Sequence, residues 1–230
     1  LNRATWRGLG LAGLIHLGWL ASLLLLWANL EQLPAAVTAL VILLRTFLQT
    51  GLFIVGHDAI HGVLVPCRPR MNARIGQLAL GLYAGLPYGL MRRKHRLHHR
   101  HPGSPLDPDF HAHGQGAPLL WYGQFMARYL RPGQMAWLLV SWASLALLTS
   151  APAVLLLCTL PLLLSSLQLF LVGTYLPHRQ QARNNNRHHA VSLELPVWLS
   201  LLACYHFGYH LEHHQSPELA WHQLPQARGS

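Results

Sequence analysis

Charge is what this sequence has least of: 10% of its 230 residues are charged, where a soluble domain carries roughly 25%. Acidic residues are scarcer still, seven Asp and Glu against seventeen Lys and Arg, for a formal net charge of +10. Its three cysteines, Cys67, Cys158 and Cys204, form no CxxC pair and no even framework, which argues against structural disulfides and an iron–sulfur cluster. No GxGxxG follows a strand pattern and no CxxCH is present, so the chain has neither a dinucleotide fingerprint nor a haem-attachment site. The bases gather in no separate domain or tail, which makes nucleic acid the weakest partner for this charge; anionic lipid and an acidic protein fit it better.

What is plentiful is apolar sequence, 52% of the chain, and it comes in long runs. Gly8 to Leu30 exceeds the roughly 7 to 15 residues of a signal-peptide core, so it reads as a spanning helix. Ala36 to Gly56 is long enough for a hydrocarbon core of about 30 Å, and Asn29 to Pro34 leaves space only for a tight turn between the two. Met135 to Thr149 and Ala153 to Thr174 form a second hairpin around a Ser-Ala-Pro turn. Ile75 to Leu90, interrupted by Gly85 and Pro87, reads as re-entrant or interfacial, as does the short stretch from Leu195 to Phe207. The expected fold is one all-α integral-membrane domain over residues 1–230, with about four transmembrane helices as two hairpins. Arg3 and Arg7 precede the first span, and Arg68, Arg70, Arg74, Arg92, Arg93, Lys94, Arg96 and Arg100 follow the second. His178, Arg179, Arg183 and Arg187 follow the fourth. By the positive-inside rule these segments face the cytoplasm.

Histidine is the chemically informative residue, with 17 in the chain. His57/His61, His95/His98/His99 and His210/His213/His214 are spaced three or four apart, which puts each set on one helix face. Each set lies where an apolar run gives way to basic sequence, and the two hairpins carry all three, with His178, to one membrane face. Such convergence predicts a shared metal site. Neutral imidazole suits Zn, Cu, Fe and Ni, and so many rings exceed the needs of one four-coordinate zinc, so two metals are expected. Asp58, Asp107, Asp109 and Glu212 lie beside the histidines and are candidates to accept their second ring N–H, the alternative being pairing with Arg92, Arg93 or Arg96. Arg45, the charged residue deep in a span, should face Gln49 or the polar atoms of another span, with Thr46 and Thr50 forming an interhelical clamp or a polar lining. His16, inside the first span, reads as structural, and His101, His113, His188, His189 and His222 as surface or supporting residues. Phe53, Tyr83, Tyr88, Phe110, Phe170 and Tyr175 are aromatic candidates to line a path for an apolar ligand. A histidine-rich metal transporter would instead need ionisable ligands along the membrane midplane, and only His16 and Arg45 lie within spans.

The order HDAIH (His57 to His61), HRLHH (His95 to His99) and HLEHH (His210 to His214) resembles the membrane fatty-acid desaturase and hydroxylase superfamily. Finer detail is similar to the bacterial and cyanobacterial β-carotene 4-ketolases: RTFLQTGLF before the first cluster, LDPDFH from Leu106 to His111, GTYLPHR from Gly173 to Arg179, ACYHFGYHLEHH from Ala203 to His214, and WHQLP from Trp221. The last departs from the Trp-Trp-x-Leu-Pro of the pattern, which bears on packing. The resemblance implies a non-haem di-iron oxygenase of the bacterial inner, or cyanobacterial, membrane. It would convert the C4 methylene of the β-ionone rings of β-carotene to a ketone, giving echinenone and canthaxanthin, by two hydroxylations and a dehydration. It implies two Fe ions, O2 as co-substrate, and external electrons from a ferredoxin-type donor. The ligands implied are His57, His61, His95, His98, His99, His210, His213 and His214, with His178 in the place of an isolated ninth and His206 and His111 as alternatives. A carotenoid 3-hydroxylase or a fatty-acyl desaturase would keep the same histidines. A rod-shaped carotene needs an apolar passage to the metals, expected along Tyr83 to Tyr88, the segment around Phe110, and Thr174 with Tyr175.

Overall fold

Helix α1 (Arg3–Ser22) continues as a tighter 3-10 turn, Leu23–Trp27, in the computed structural model, which describes residues 3–28, 32–111, 117–179 and 186–228. The linker positions 29–31, and His113 and Arg183, lie outside the described residues. Along α1, Leu14, Leu17, Leu20 and Leu24 are exposed while Ala12, Ile15, Trp19 and Leu26 are buried. A helix apolar all round, with one face on its neighbours, is built for a lipid solvent.

Helix α2 (Ala35–His61) has 27 residues, about 40 Å at 1.5 Å per residue. That exceeds a hydrocarbon core of about 30 Å, so the helix ends with His57 and His61 beyond the predicted boundary at Gly56. The stretch expected to be re-entrant is two helices, α3 (Pro69–Ala84) and α4 (Tyr88–Arg100). Between them Gly85 takes a left-handed turn at φ +65°, a conformation glycine adopts without a Cβ penalty. The end of α2 is tied to both: the Ala59 carbonyl accepts from Asn72 Nδ2 and from Tyr88 Oη, each at 2.7 Å.

Helices α5 (Pro118–Tyr129) and α6 (Pro132–Leu148) lead to α7 (Ala151–His178), which carries two π-helical turns, Leu155–Thr159 and Leu171–Tyr175. Short helices α8 (Val197–Cys204) and α9 (His210–Gln215) follow, then a 3-10 turn, Trp221–Gln223, and a last helical turn, Leu224–Ala227; there is no strand among the described residues. Among the described residues, three helices are long and apolar enough to cross a membrane, Thr5–Trp27, Ala35–His61 and Ala151–His178; α6 is apolar but shorter.

Arg45 is 1% exposed and clamps the spans together. Its Nη1 donates to Ser22 Oγ (2.6 Å) and the Trp19 carbonyl (3.2 Å), and its Nε to the Leu157 carbonyl (2.8 Å). Leu157 is four residues before Pro161, which has no N–H to offer that carbonyl; the arginine supplies the missing donor. Gln49 accepts from Trp19 Nε1 and donates to the Tyr83 carbonyl. Thr50 Oγ1 lies within hydrogen-bonding distance of the Ser165 hydroxyl (2.8 Å) and of Gln168 Oε1, which accepts (2.7 Å). Buried polar groups in lipid must be satisfied inside the protein, and here they staple α1, α2, α3 and α7 together.

Candidate metal centre

Helix α4 lies over the ends of α2 and α7, so its inner face meets the histidines of both. One group gathers His57, His61, His95 and His213, a second His98, His178, His210 and His214, with the potential ligand atoms of each group all within 4.8 Å of one another. His99 joins the first, its Nε2 3.0 Å from both His95 Nε2 and His213 Nε2, and its ring stacks on His214 at 4.3 Å, against the second. The nine rings come from α2, α4, α7 and α9, four elements far apart in sequence.

Hydrogen bonding among neutral rings does not explain the second group. His98 Nδ1 faces both oxygens of Asp107 at 3.0 Å, and His178 Nδ1 donates to the His189 carbonyl at 2.9 Å. A neutral imidazole has one N–H, so both rings present a bare lone pair at Nε2. Those lone pairs end a row of four Nε2 atoms, His98 to His214 (3.0 Å), His214 to His210 (3.1 Å) and His210 to His178 (3.0 Å). With acceptors at both ends, His214 and His210 must each donate outward and so meet N–H against N–H. The row needs an added positive charge, and a metal ion provides it to all four nitrogens at once. Two imidazole nitrogens bound at about 2.0–2.1 Å and at right angles on one ion lie roughly 3 Å apart, the spacing observed. In the first group the buried His57 Nε2 has no hydrogen-bond partner, as a nitrogen reserved for a metal should not.

Electrostatics favour neutral rings. Burial, then the neighbouring histidines, pushes His95, His213 and His214 well below the ordinary imidazole range, and burial takes His99 down to about 2. His98 differs: burial opposes its protonation, but the hydrogen bond to Asp107 together with the charges of Asp109 and Asp107 raises its pKa. Metal binding requires deprotonated ligands, and the surroundings of His95, His99, His213 and His214 supply them in that form.

Among the acidic candidates, Asp107 faces a histidine at hydrogen-bonding distance. It is 3% exposed and also accepts from the backbone N–H of Gly103 (3.0 Å) and Asp109 (2.8 Å). Asp109 Oδ2 stands 3.8 Å from His98 Nδ1, too far for a hydrogen bond, and its Oδ1 accepts from Tyr129 Oη. Asp58 is 4.0 Å from His57 Nδ1 and accepts instead from the Trp221 backbone N–H at 3.3 Å. Glu212 accepts from Ser192 Oγ. These three therefore support loops more than imidazoles, and the Asp-Pro-Asp sequence carried no sign of which aspartate would turn towards His98. His206 stacks on Tyr209 and Trp221, and His111 lies against Trp121; neither belongs to the two groups. His16 bonds the Ala12 carbonyl of its own helix at 2.7 Å.

An apolar cavity of ≈ 270 Å³ ends on the histidines, touching His57, His95, His98 and His210. Phe53, Tyr83 and Leu86 line one side and Leu162, Gly173 and Thr174 of α7 another. It also reaches Leu163 and Met135, 56% and 36% exposed on the outer surface. Of the six aromatic candidates, Phe53 and Tyr83 are on its wall. Tyr88 is occupied with Ala59, the rings of Phe170 and Tyr175 pack against Trp121, and Phe110 contributes its carbonyl to Arg128 Nη1. Four aromatics outside that set also line it, Phe125, Tyr129, Trp142 and Phe207, and the Phe207 ring lies between His57 (4.9 Å) and His210 (5.5 Å). It fits there because residue 173 is glycine; a Cβ at that position would lie 2.2 Å from Phe207 Cε1.

A membrane bundle with two groups of histidines at the helix ends defines the class, and the chain belongs to the fatty acid desaturase family, whose model matches residues 32–229. Within that family it is 42% identical over 228 residues to the beta-carotene ketolase of Paracoccus sp. strain PC1, covering 94% of this chain and 93% of that one. It is 44% identical over 187 residues to the beta-carotene ketolase of Paracoccus sp. strain N81106 / MBIC 01143, covering 80% and 76%. With the zeaxanthin 4-ketolase of Chlamydomonas reinhardtii it shares 41% identity over 195 residues, 79% of this chain and 42% of the alga's.

Proposed function

We propose that this chain is a β-carotene 4-ketolase, oxidising the C4 methylene of β-ionone rings to a ketone through two hydroxylations and loss of water from the resulting diol. The observation that carries the reading is the apolar cavity running from the exposed surface at Leu163 and Met135 to the histidines of both groups. A metal transporter has no use for such a cavity, and the relatives above bear ketolase names.

In this reading His57, His61, His95, His99 and His213 hold one iron and His98, His178, His210 and His214 the other. Two bound iron ions would activate O2, with external electrons, for attack on an allylic C–H bond, chemistry that side chains do not supply. The chain's own residues do the rest. Asp107 and the His189 carbonyl keep the protons of His98 and His178 on Nδ1, leaving Nε2 free to bind. The apolar wall admits the end of a rigid hydrocarbon and excludes water, while Phe207 stops the ring beside His57 and His210. C3 and C4 are neighbours, so the position of that stop decides the product.

The bases following α2 and α7 support a cytoplasmic metal site in a bacterial or cyanobacterial membrane, with α6 as the fourth span of a second hairpin. Arg92, Arg93, Arg96 and Arg100 lie exposed on α4, the helix that carries His95 and His99. Complementary charge mainly accelerates encounter, and this surface suits an acidic ferredoxin-type electron donor. Expression in a β-carotene-producing bacterium followed by pigment analysis tests the function: echinenone and canthaxanthin are expected. Hydroxylation at C3 in place of ketones, or unchanged β-carotene alongside a metal-loaded protein, would refute it.

A further inference from the structure

The cavity wall is mostly apolar, with Gln134 and Thr159 among its few polar side chains, and the carboxylate on it suits a hydrocarbon least. Asp109 lines the cavity together with Tyr129, and 13% of its side chain is accessible. The carboxylate is firmly held. Tyr129 donates to Oδ1, the Asp109 backbone N–H bonds Asp107, and the Asp109 carbonyl accepts from Trp121 Nε1 at 2.9 Å. Arg128 Nη1 fixes the carbonyls on either side, Pro108 and Phe110, each at 2.7 Å. No hydrogen bond to Oδ2 is found among the described residues. His98 Nδ1, 3.8 Å away, faces Asp107 instead.

Placing a bare carboxylate oxygen against an apolar ligand costs free energy unless a donor meets it. A carotene offers none, and the remaining cavity wall is dominated by side chains such as Leu86, Met91, Leu138 and Leu169. Asp109 Oδ2 lies 3.8 Å from the Nδ1 side of His98, whose Nε2 side faces the other rings of the second group, so a hydroxyl on the substrate ring near the reacting carbon is the donor placed to meet it. We infer that Asp109, steadied by Tyr129, accepts a hydrogen bond from a hydroxyl on the substrate ring and so recognises rings that are already hydroxylated. The inference rests on the ketolase reading. It makes Asp109 a substrate-positioning residue, with no direct part in holding His98.

The hydroxyl has two possible sources: one carried in on the neighbouring C3, or one made at C4 by the first oxidation, whose retention would carry the ring on to the second. Membranes containing the full chain, Asp109→Leu, Asp109→Asn or Tyr129→Phe should be given β-carotene or its 3-hydroxylated counterpart, with metal content measured throughout. If the C4 hydroxyl is held, Asp109→Leu releases roughly tenfold more 4-hydroxylated product per ketone from β-carotene. If the C3 hydroxyl is held, kcat/KM for the 3-hydroxylated ring relative to β-carotene falls by roughly tenfold, the scale of one lost hydrogen bond to a charged group. Tyr129→Phe should shift the same ratio less, and Asp109→Asn, which keeps an acceptor, should restore most of it. Unchanged ratios for both substrates would overturn the inference, as would loss of metal in step with activity in both Asp109→Leu and Tyr129→Phe. Failure of the parent chain to make any ketone would instead refute the ketolase reading.

Discussion

Changing Asp107 to asparagine alters almost no volume and tests how the second histidine group is built. Each carboxylate oxygen faces His98 Nδ1 at 3.0 Å and also serves a backbone N–H, Oδ1 that of Asp109 and Oδ2 that of Gly103. An amide has one oxygen and one NH2, so either orientation sets an NH2 against a backbone N–H in a site 3% exposed. A buried donor left without an acceptor costs about 1–3 kcal/mol of stability. When the NH2 also faces His98, the ring must accept at Nδ1 and move its proton to Nε2, the atom aimed at the other three rings. Loss of such an orienting partner typically weakens metal affinity by about 10–100-fold, equivalent to about 1.4–2.7 kcal/mol. Titration of the variant in lipid nanodiscs with iron(II) against a competing chelator measures the affinity, and circular dichroism checks the helices. An affinity within twofold of the parent's, with helices intact, would refute the tautomer argument.

His178→Ala should remove the metal of the second group, while His206→Ala, whose ring stacks on Trp221, should retain both metals; elemental analysis of the two proteins separates the assignments. Gly173→Ala should lower thermal stability by about 1–3 kcal/mol through overpacking, since the new Cβ lies 2.2 Å from Phe207. Adding Phe207→Leu should recover most of that loss in a melting experiment. Arg96→Glu should slow turnover several-fold at low concentrations of an acidic ferredoxin and abolish most of its salt dependence, with iron content unchanged. Equal turnover at all donor concentrations would remove the α4 face as the docking surface.

The long apolar runs and the histidine spacings were legible in the sequence because both are local. A span needs only length and composition, and histidines three and four apart share a face wherever the helix goes. The positions of His57, His98 and His210 were therefore readable as clusters. The helix boundaries were less so: α2 continues to His61 past the expected end at Gly56, and the stretch around Gly85 is two helices.

Sequence by itself determined the solvent of this protein, its basic flanks and its family, since these depend on residue types and their order along the chain. Tertiary structure alone decided which carboxylate turns towards a histidine, because Asp107 and Asp109 are two residues apart and differ only in what surrounds them. It also decided which aromatics face the cavity. Phe207 does so through the left-handed backbone at Tyr205 and His206 and the bare Cα of Gly173, a contact between α7 and the chain leading into α9. Contacts of that range leave no periodicity in the sequence, for they are fixed by packing between segments whose separation along the chain carries no spatial information.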